Sequence, residues 1–380
     1  MIYLDYSATT PIDKEVLNTF DNVCMNYFAN PNSLHKLGVE SNKLIEAATG
    51  QIKNILNIND YEVIYTSGAS EANNLAIKGI ALKYQNRGKH IITTPLEHSS
   101  IVGALNYLGM NGFEIDIVNI KSNGLVDINH LKSLIRDDTI LVTMALVDSE
   151  IGIKQNISEI SEILKKYPKC YLHVDGTQAI GKIKVDFSGI DLFSFSSHKI
   201  YAMKGCGCLI KRKNISIEPL IHGGKSVTAY RSGTPTTALI ASTSKALKLV
   251  YNDFDNRYEH VHKLNKILRE NLSTYENVHI NSTSNSIPHI LNFSIVGIKP
   301  ETFIHALEEY DIFISTRSAC SKSNTISSSV MALTNNKDIS SSTLRVSISY
   351  KTTEEEINTF INTFKICYEE LSLRRKNANN

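Results

Sequence analysis

The chain has 380 residues, of which 42% are hydrophobic and 21% charged, as in ordinary soluble globular proteins and unlike disordered ones. A length about twice that of a usual single domain predicts two substantial domains. A formal net charge of +2 gives no electrostatic reason to expect nucleic acid or an anionic membrane as the main partner.

The N-terminal residues MIYLDYSATTP contain neither a basic segment nor a long apolar run, so no signal peptide is predicted. No later segment approaches the roughly 20 apolar residues of a membrane-spanning helix. Six cysteines are spread along the chain without the rhythm of a disulfide framework, which favours a reducing cytoplasm. Cys206 and Cys208 have no accompanying CxxC or HxxxH spacing, so we expect no metal site.

Short β-branched runs alternate with longer amphipathic ones between about residues 60 and 215. In chain order, YEVIYTS precedes EANNLAIKGIALKYQ, HIITTP precedes SSIVGALNYLG, FEIDIVNI precedes INHLKSLI, and TILVTMALV precedes ISEISEILKKY, with YLHVD and DLFSFSS following. This alternation predicts an α/β fold, a mainly parallel sheet with helices on both faces. Ligands bind outside the carboxyl ends of the strands in such sheets, so residues at those ends are candidates for a site.

The C-terminal third has a different pattern. YEHVHKLNKILRENLSTY is typical of an amphipathic helix, and HILNFSIV and STLRVSISY are typical of strands in a separate α+β unit. Between these strands, the Ser/Thr-rich stretch STRSACSKSNTISSSV is long enough to form a mobile loop. We therefore expect a large domain over residues 14–255 and a smaller one formed by residues 1–13 and 256–380.

The stretch TSGASEANN, residues 66 to 74, is a candidate phosphate site. A strand ends at Thr66, a turn of small residues follows, and a helix begins with Ser70 as the predicted N-cap. Free backbone N–H groups of Gly68, Ala69 and Ser70, together with the helix dipole, would bind an anion. The same residues are also common at joints that only turn the chain.

Two further strand ends carry ionisable side chains. Asp175 ends the strand YLHVD, and its carboxylate is open to several interpretations: a metal ligand, a general base, a partner for a ring nitrogen, or a simple loop cap. Lys199 ends the next strand, with Ser196 and His198 beside it. Such a lysine is either a solvated turn residue or a buried amine, which can form a Schiff base with an aldehyde.

Taken together, these features fit one cofactor. Pyridoxal phosphate has a phosphate, a ring nitrogen that needs a carboxylate, and an aldehyde that reacts with a lysine. The phosphate turn, Asp175 and Lys199 meet these three requirements in their expected order along the chain. His98 of EHSS closes another strand, where it is either a surface-turn histidine or a ring that stacks on the pyridine and moves protons.

The chain resembles the cysteine desulfurases of the NifS/IscS type, within the class V aminotransferase family, almost from end to end. The motifs that carry the resemblance are YLDYSATTP, NPNSLHKLG, TSGASEANNLAIKG, TPLEHSS, HVDGTQAIGK, SFSSHKIYAMKG, RSGT, RSAC and LRVSISYKTTEEEI. The resemblance implies a pyridoxal 5'-phosphate-dependent homodimer. Its large domain would hold a mainly parallel seven-stranded sheet flanked by helices, and its smaller α+β domain would carry the Cys320 loop.

The resemblance also implies a role for each matching residue. Lys199 is the Schiff-base lysine, Asp175 pairs with the protonated ring nitrogen, Gln178 hydrogen-bonds the phenolic oxygen, and His98 stacks on the ring. The residues implied to hold the phosphate are Gly68, Ala69, Ser70, Ser196 and His198, with Thr234 of RSGT from the other subunit.

For the substrate, the resemblance implies that Arg345 clamps the carboxylate of L-cysteine, a task that suits a planar bidentate donor. Cys320 of RSAC is implied to take the sulfur as a persulfide while L-alanine leaves. A cysteine on a mobile polar loop can reach the cofactor and then a sulfur-acceptor protein. The implied pathways are iron–sulfur cluster assembly and the thiolation of tRNA or cofactors.

Several motifs depart from the family's pattern, among them SSHK and the Arg317 that precedes SAC, and two of the departures matter most. Where the family usually has VNNEIG, residues 147–152 read VDSEIG, so Asp148 and Ser149 replace two amides. Ser149 can still hydrogen-bond substrate, but an ionised Asp148 close by would repel its carboxylate. The motif HGGKSVTAYRSGT has lost an acidic residue and two glycines. These changes leave two alternatives open: a selenocysteine lyase or other β-elimination enzyme, and a weakly catalytic sulfur-relay partner protein.

Overall fold

The computed structural model describes residues 1–224, 226–316 and 326–378, with residues 374–378 described by their helical backbone alone. None of the described helices is both long and apolar enough to span a lipid bilayer. The strands are β1 (Ile2–Tyr3), β2 (Tyr61–Thr66), β3 (His90–Thr93), β4 (Glu114–Ile117), β5 (Thr139–Ala145), β6 (Tyr171–Asp175), β7 (Leu192–Ser196), β8 (Gly207–Arg212), β9 (Val278–Ile280), β10 (Ile290–Ile295), β11 (Ile312–Phe313) and β12 (Thr343–Ser347). The helices are α1 (Lys14–Asn26), α2 (Lys36–Leu56), α3 (Ala69–Tyr84), α4 (Ser99–Met110), α5 (Ile128–Leu134), α6 (Ile157–Leu164), α7 (Thr237–Tyr251), α8 (Phe254–Leu272), α9 (Pro300–Glu308), α10 (Ser328–Thr334), α11 (Lys337–Ser341) and α12 (Glu354–Ala378).

Seven strands form the central sheet, in the order β2-β8-β7-β6-β5-β3-β4. The pairs from β7 to β4 are parallel, whereas β8 runs antiparallel to both of its neighbours. The predicted α/β class with a mainly parallel seven-stranded sheet is therefore confirmed. All six runs that the sequence predicted as strands between residues 60 and 200 belong to this sheet.

Both faces of the central sheet are buried, because neighbouring residues of one strand point into different cores. In β2, Val63 packs with α2, α6 and α7, while Ile64 packs with α3 and α4 on the other face. In β5, Val142 packs into the same core as Val63, and Leu141 packs into the same core as Ile64. Side chains alternate between the faces of a strand, so a sheet covered on both sides needs continuous apolar runs such as TILVTMALV.

Besides the cores on the two faces of the central sheet, a third core lies around the antiparallel sheet β12-β10-β9 and the helices α8, α9 and α12. Leu4 belongs to this core, and β1 pairs in parallel with β11. The expected division into a large domain over residues 14–255 and a smaller one over residues 1–13 and 256–380 stays a prediction.

The turn between β2 and α3 differs from the sequence expectation in one detail. Gly68, and not Ser70, is the N-cap of α3, and none of the side chains that the structure describes caps the helix there. Gly68 has φ 157° and ψ 179°, and the helix begins at Ala69, which places Ser70 within the first turn. The glycine thus starts the helix two residues earlier than predicted and leaves the first backbone N–H groups uncapped by side chains.

Gly207 of β8 fixes the position of this turn, and its substitution tests the fold. A Cβ atom on Gly207 would lie 2.6 Å from the Cα of Gly68 and 2.7 Å from the carbonyl oxygen of Phe195. We expect Gly207→Ala to lower the free energy of unfolding by about 1–3 kcal/mol, because backbone must move to admit the methyl group. Thermal unfolding measures this change. The control Gly103→Ala, on α4 with nothing within 4 Å, should be neutral or slightly stabilising; equal effects would contradict the packing argument.

Candidate active site

A cavity of about 410 Å³ lies at the edge of the central sheet where β5, β6 and β7 end. The N-terminal segment at Ser7 and Ala8 and the side chain of Arg345 from β12 complete its wall. The predicted site residues that line this cavity are Gly68, Ala69, Ser70, His98, Ser149, Asp175, Gln178, Ser196, His198, Lys199 and Arg345. The fold therefore brings together nearly all of the side chains chosen from the sequence.

Two predicted residues are not among those lining the cavity. Thr234 is described but exposed, and it does not line the cavity of its own chain. Its proposed role in the site of another subunit stays a prediction. Cys320 lies outside the described residues, so its predicted role also stays a prediction.

Lys199 ends a 3₁₀ turn, Ser197–Lys199, that directly follows β7. Its Nζ donates hydrogen bonds to the backbone carbonyl oxygens of Ser7 and of Ala8, the latter at 2.7 Å. Both acceptors belong to a segment that lies more than 190 residues away in the chain. The lysine is thus no solvated turn residue, because its amine is directed by two carbonyl groups into the wall of the cavity.

Asp175, at the end of β6, is buried and held on both carboxylate oxygens. Oδ2 accepts a hydrogen bond from Asn73 Nδ2 at 2.8 Å, and Oδ1 accepts one from the backbone N–H of Thr177 at 2.9 Å. Asn73 also donates to Ser100 Oγ at 2.9 Å. Sequence reasoning missed Asn73, although its place one turn into the helix after the phosphate turn was a usable signal.

His98 is the N-cap of α4 and lines the cavity. Its Nδ1 accepts a hydrogen bond from the backbone N–H of Ser100 at 3.2 Å, which leaves the ring proton of the neutral form on Nε2. Burial lowers the pKa of His98, although the nearby Asp175 carboxylate opposes this change. A neutral imidazole beside the cavity can stack on an aromatic ring without the cost of desolvating a charge.

The start of α3 offers backbone N–H groups to an anion, since no described side chain caps Gly68. The carboxylate of Glu71, in the first turn of α3, does not occupy these N–H groups. It accepts hydrogen bonds from the backbone N–H of Ser67 at 2.7 Å and from Arg231 Nε at 3.0 Å. Burial favours the neutral acid, but these hydrogen bonds outweigh it and lower the pKa of Glu71. Arg231, from the RSGT motif, thereby ties that loop to the turn.

His198 adds a second polar group beside the start of α3. Its Nδ1 lies 3.0 Å from Thr9 Oγ1, and its backbone carbonyl accepts hydrogen bonds from Thr10. Burial, followed by the positive charges of Lys199, Lys204 and Lys182, lowers the pKa of His198 to about 4. The imidazole is therefore neutral near pH 7, and it can hydrogen-bond an anion without adding a charge.

Arg345 is almost fully buried, with 1% of its surface exposed. Nη1 donates to the carbonyl oxygen of Ser149 at 2.8 Å, and Nη2 donates to Asp5 Oδ1 at 2.7 Å. Among the described residues, its Nε has no hydrogen-bond partner. Asp5 was missed by sequence reasoning because it lies 340 residues from the arginine it holds. The guanidinium is fixed on two sides and keeps unused N–H donors for an anion.

Comparison with known proteins identifies the family of this arrangement. The family profile described as Aminotransferase class-V matches residues 2–360. A protein named "NifS/IcsS protein homolog" from Lactobacillus delbrueckii subsp. bulgaricus is 39% identical over 378 residues, covering 98% of each chain. "Cysteine desulfurase IscS" from Dictyoglomus turgidum is 36% identical over 375 residues, covering 97% of this chain and 95% of that protein.

Solved structures have the same fold. A structure described as a NifS-like protein has a TM-score of 0.91 and 31% identity, covering 97% of this chain and all of the other. The structure "SspA in complex with cysteine" has a TM-score of 0.81 and 29% identity, covering 93% of this chain and all of the other. With a profile match across nearly the whole sequence and relatives well above 30% identity, the chain belongs to the class V aminotransferase family.

Proposed function

We propose that this chain is a pyridoxal 5'-phosphate-dependent cysteine desulfurase, which converts L-cysteine to L-alanine and transfers the sulfur as a persulfide on Cys320. The observation that carries the proposal is that the amine of Lys199, the carboxylate of Asp175 and the guanidinium of Arg345 line one cavity. Relatives that match over nearly all of this chain are named cysteine desulfurases, and a solved relative is described in complex with cysteine.

The residues present fit the proposed cofactor. The uncapped start of α3 suits its phosphate, the buried carboxylate of Asp175 suits a protonated ring nitrogen, and Lys199 can bind its aldehyde carbon. Gln178 and His98 line the space between them. When bound, the cofactor would supply an electron-accepting ring that makes the Cα–H bond of an amino acid acidic.

The chain's own residues then have distinct tasks. Arg345 would hold the substrate carboxylate with the N–H groups left over from Asp5 and Ser149, which fixes the orientation of the Cα–H bond. Lys199 lies at the cavity wall, where its amine could take the Cα proton of the substrate. Two N–H donors hold the Asp175 carboxylate in place, and it would keep a ring nitrogen beside it protonated.

Asp148 does not face the cavity, so the altered VDSEIG motif leaves the substrate site without an added negative charge. Asp148 Oδ1 accepts hydrogen bonds from the backbone N–H groups of Glu150 and Ile151, and Oδ2 accepts one from Ser329 Oγ at 3.0 Å. The expected repulsion of substrate is therefore removed by the direction of the side chain. This geometry removes only the part of the case for a changed β-elimination or selenocysteine lyase activity that rests on Asp148, because Ser149 still lines the cavity.

Ser315, near the end of the described residues that precede the RSAC motif, lies beside Arg345. The two residues exchange backbone hydrogen bonds of 2.7 and 3.1 Å. The described chain is thus anchored beside the guanidinium that lines the cavity. This anchor supports the proposal that Cys320 is a persulfide carrier, which would later give its sulfur to an acceptor protein.

We infer a homodimer in which Thr234 completes the phosphate site of the partner. Large hydrophobic side chains are exposed on α1, on α2 and between them, among them Met25, Phe28 and Leu34 at 77%, 74% and 97% exposure. Apolar groups this exposed are typical of a surface that another chain covers.

We also place the protein in the cytoplasm, since the five described cysteines are all unpaired.

The first test is covalent labelling of the lysine. Borohydride reduction of the cofactor-loaded protein should fix the cofactor irreversibly to Lys199, because its amine is the one that lines the cavity beside Asp175. Peptide mapping by mass spectrometry locates the label, and Lys199→Ala should carry none. A label on Lys204, which also lines the cavity, would contradict the assignment.

The second test concerns the sulfur carrier. Purified, cofactor-loaded protein with L-cysteine and a reductant should form alanine, and Cys320→Ala should form it at least about 100-fold more slowly, because the attacking thiol is lost. The matched control is Cys24→Ala, which removes an exposed thiol on α1 and should leave the rate unchanged. Alanine formation at the wild-type rate by Cys320→Ala would refute the persulfide role.

The third test uses the buried acid of VDSEIG. Burial and repulsion from Glu150 raise the pKa of Asp148 from 3.8 to about 6. The unfolded chain releases this proton near pH 4, whereas the folded chain keeps it up to about pH 6, so stability falls as the pH rises between these values. Asp148→Asn removes this loss of stability. Its amide can still accept a hydrogen bond from the backbone N–H of Ile151 and can donate one to Ser329 Oγ.

Relative to wild type, Asp148→Asn should therefore gain about 1 kcal/mol in unfolding free energy between pH 5 and pH 8. Chemical denaturation at the two pH values measures the gain. Asp186→Asn is the control: its carboxylate accepts from the N–H of Ser188, which lowers its pKa, so it is ionised in both states throughout this range. A parallel pH response of the two variants would disprove the buried-acid argument.

A further inference from the structure

Lys182 is a buried lysine that the proposed chemistry does not use. It lies four residues after Gln178 in the turns that follow β6, and only 8% of its surface is exposed. Its Nζ donates a hydrogen bond to Oε1 of Gln178. A lysine buried to this extent is uncommon unless it is paired, so this contact calls for an explanation.

The hydrogen bond from Lys182 fixes which way the Gln178 amide points. The backbone carbonyl of Ser7, on one side of the amide, can only accept, and the Nζ of Lys182, on the other side, carries N–H donors in either protonation state. Oε1 must therefore face Lys182, and Nε2 must face Ser7, to which it donates at 2.9 Å. In the reverse orientation, Nε2 would face the Nζ of Lys182, and Oε1 would face the carbonyl oxygen of Ser7. Neither pair could then form the hydrogen bond that the structure has.

This orientation leaves one N–H of Gln178 for the cavity. Nε2 carries two hydrogens, and the carbonyl of Ser7 takes one of them. The same carbonyl accepts from Nζ of Lys199. Gln178 and Lys199 thus both donate to the carbonyl oxygen of Ser7. The remaining N–H of Gln178 can only serve as a donor.

Two basic groups, Lys199 and Arg345, act on the charge of Lys182. Burial lowers its pKa well below the usual value, and the positive charges of Lys199 and Arg345 add to this effect. Lys182 in turn contributes to the lowered pKa values of His198 and His289. A lysine whose charged form is disfavoured by burial and by its neighbours is retained here beside an amide oxygen, which supports a positioning role.

We propose that Lys182 is a positioning residue, which locks the side-chain amide of Gln178 so that its free N–H points to the phenolic oxygen of the bound cofactor. This inference rests on the proposed function. A donor to that oxygen stabilises its deprotonated form, and the proton shared between the oxygen and the lysine linkage is then released at lower pH. Without the lock, the carbonyl of Ser7 alone holds the amide, which can then turn its free N–H away from the phenolic oxygen.

The test is a pH titration of the visible absorption of the cofactor-loaded protein, in the absence of substrate. Lys182→Met keeps the length of the side chain but not the donor, and we expect it to raise the midpoint of the absorption change by about half to one pH unit. The matched control is Lys184→Met, two residues on, whose side chain is 69% exposed and paired with Asp255; its midpoint should equal that of wild type.

A double variant separates the lock from a direct effect of charge. Gln178→Ala should raise the midpoint as Lys182→Met does, and adding Lys182→Met to Gln178→Ala should change nothing more, because the lysine acts through the amide. Additive shifts, or a wild-type midpoint in Lys182→Met, would overturn the proposal. Lys182→Leu replaces Lys182→Met, with the same expected outcomes, if the latter does not fold.

The outcomes also distinguish this inference from the proposed function. A protein that shows no cofactor band, and no borohydride label on Lys199, would overturn both. A labelled Lys199 with an unmoved midpoint in Lys182→Met would overturn the lock alone. A moved midpoint in a protein that forms no alanine would support the lock and count against the desulfurase activity.

Discussion

Two backbone carbonyl groups, those of Ser7 and Ala8, hold the amine on which the site depends. Hydrogen bonds from a charged donor are among the stronger ones in a protein, about 1.5–3 kcal/mol each. The same segment also accepts from Gln178 and, through Thr9, contacts the imidazole of His198. A few N-terminal residues therefore set the geometry of three side chains at the sheet edge. For Lys199 and Gln178 they do so with backbone groups that most substitutions leave in place.

The balance of charge explains what kind of ligand the cavity suits. Lys199 and Arg345 line it, and Lys182 lies behind it, while Asp175 and Asp5 supply the carboxylates. Cations taken out of water are costly unless they are paired. A ligand with one anionic group at the start of α3 and another near Arg345 would complete the pairing at both ends. A phosphorylated cofactor carrying an amino acid has these two groups.

The sequence predicted the fold and the strand ends well, since runs such as TILVTMALV and turns such as TSG depend on local patterns. It did not predict the groups that orient the site. The position of Asn73 in the helix after the phosphate turn was a usable signal, but its contact with Asp175, 102 residues away, was not. Asp5 reaches Arg345 across 340 residues. The direction of Asp148 likewise depends on Ser329, far along the chain. Such contacts follow from tertiary packing, which no local pattern encodes.

The pairing of Asp5 with Arg345 also has a consequence for biosynthesis. Ribosomes add about 5–20 residues per second, so roughly twenty seconds to a minute separates the synthesis of the two partners. Throughout that time Asp5, Ser7 and Ala8 are without Arg345, and the amine of Lys199 has carbonyl partners before the cavity has its guanidinium wall. The nascent chain thus lacks a complete binding site for an anionic amino acid until translation has passed β12.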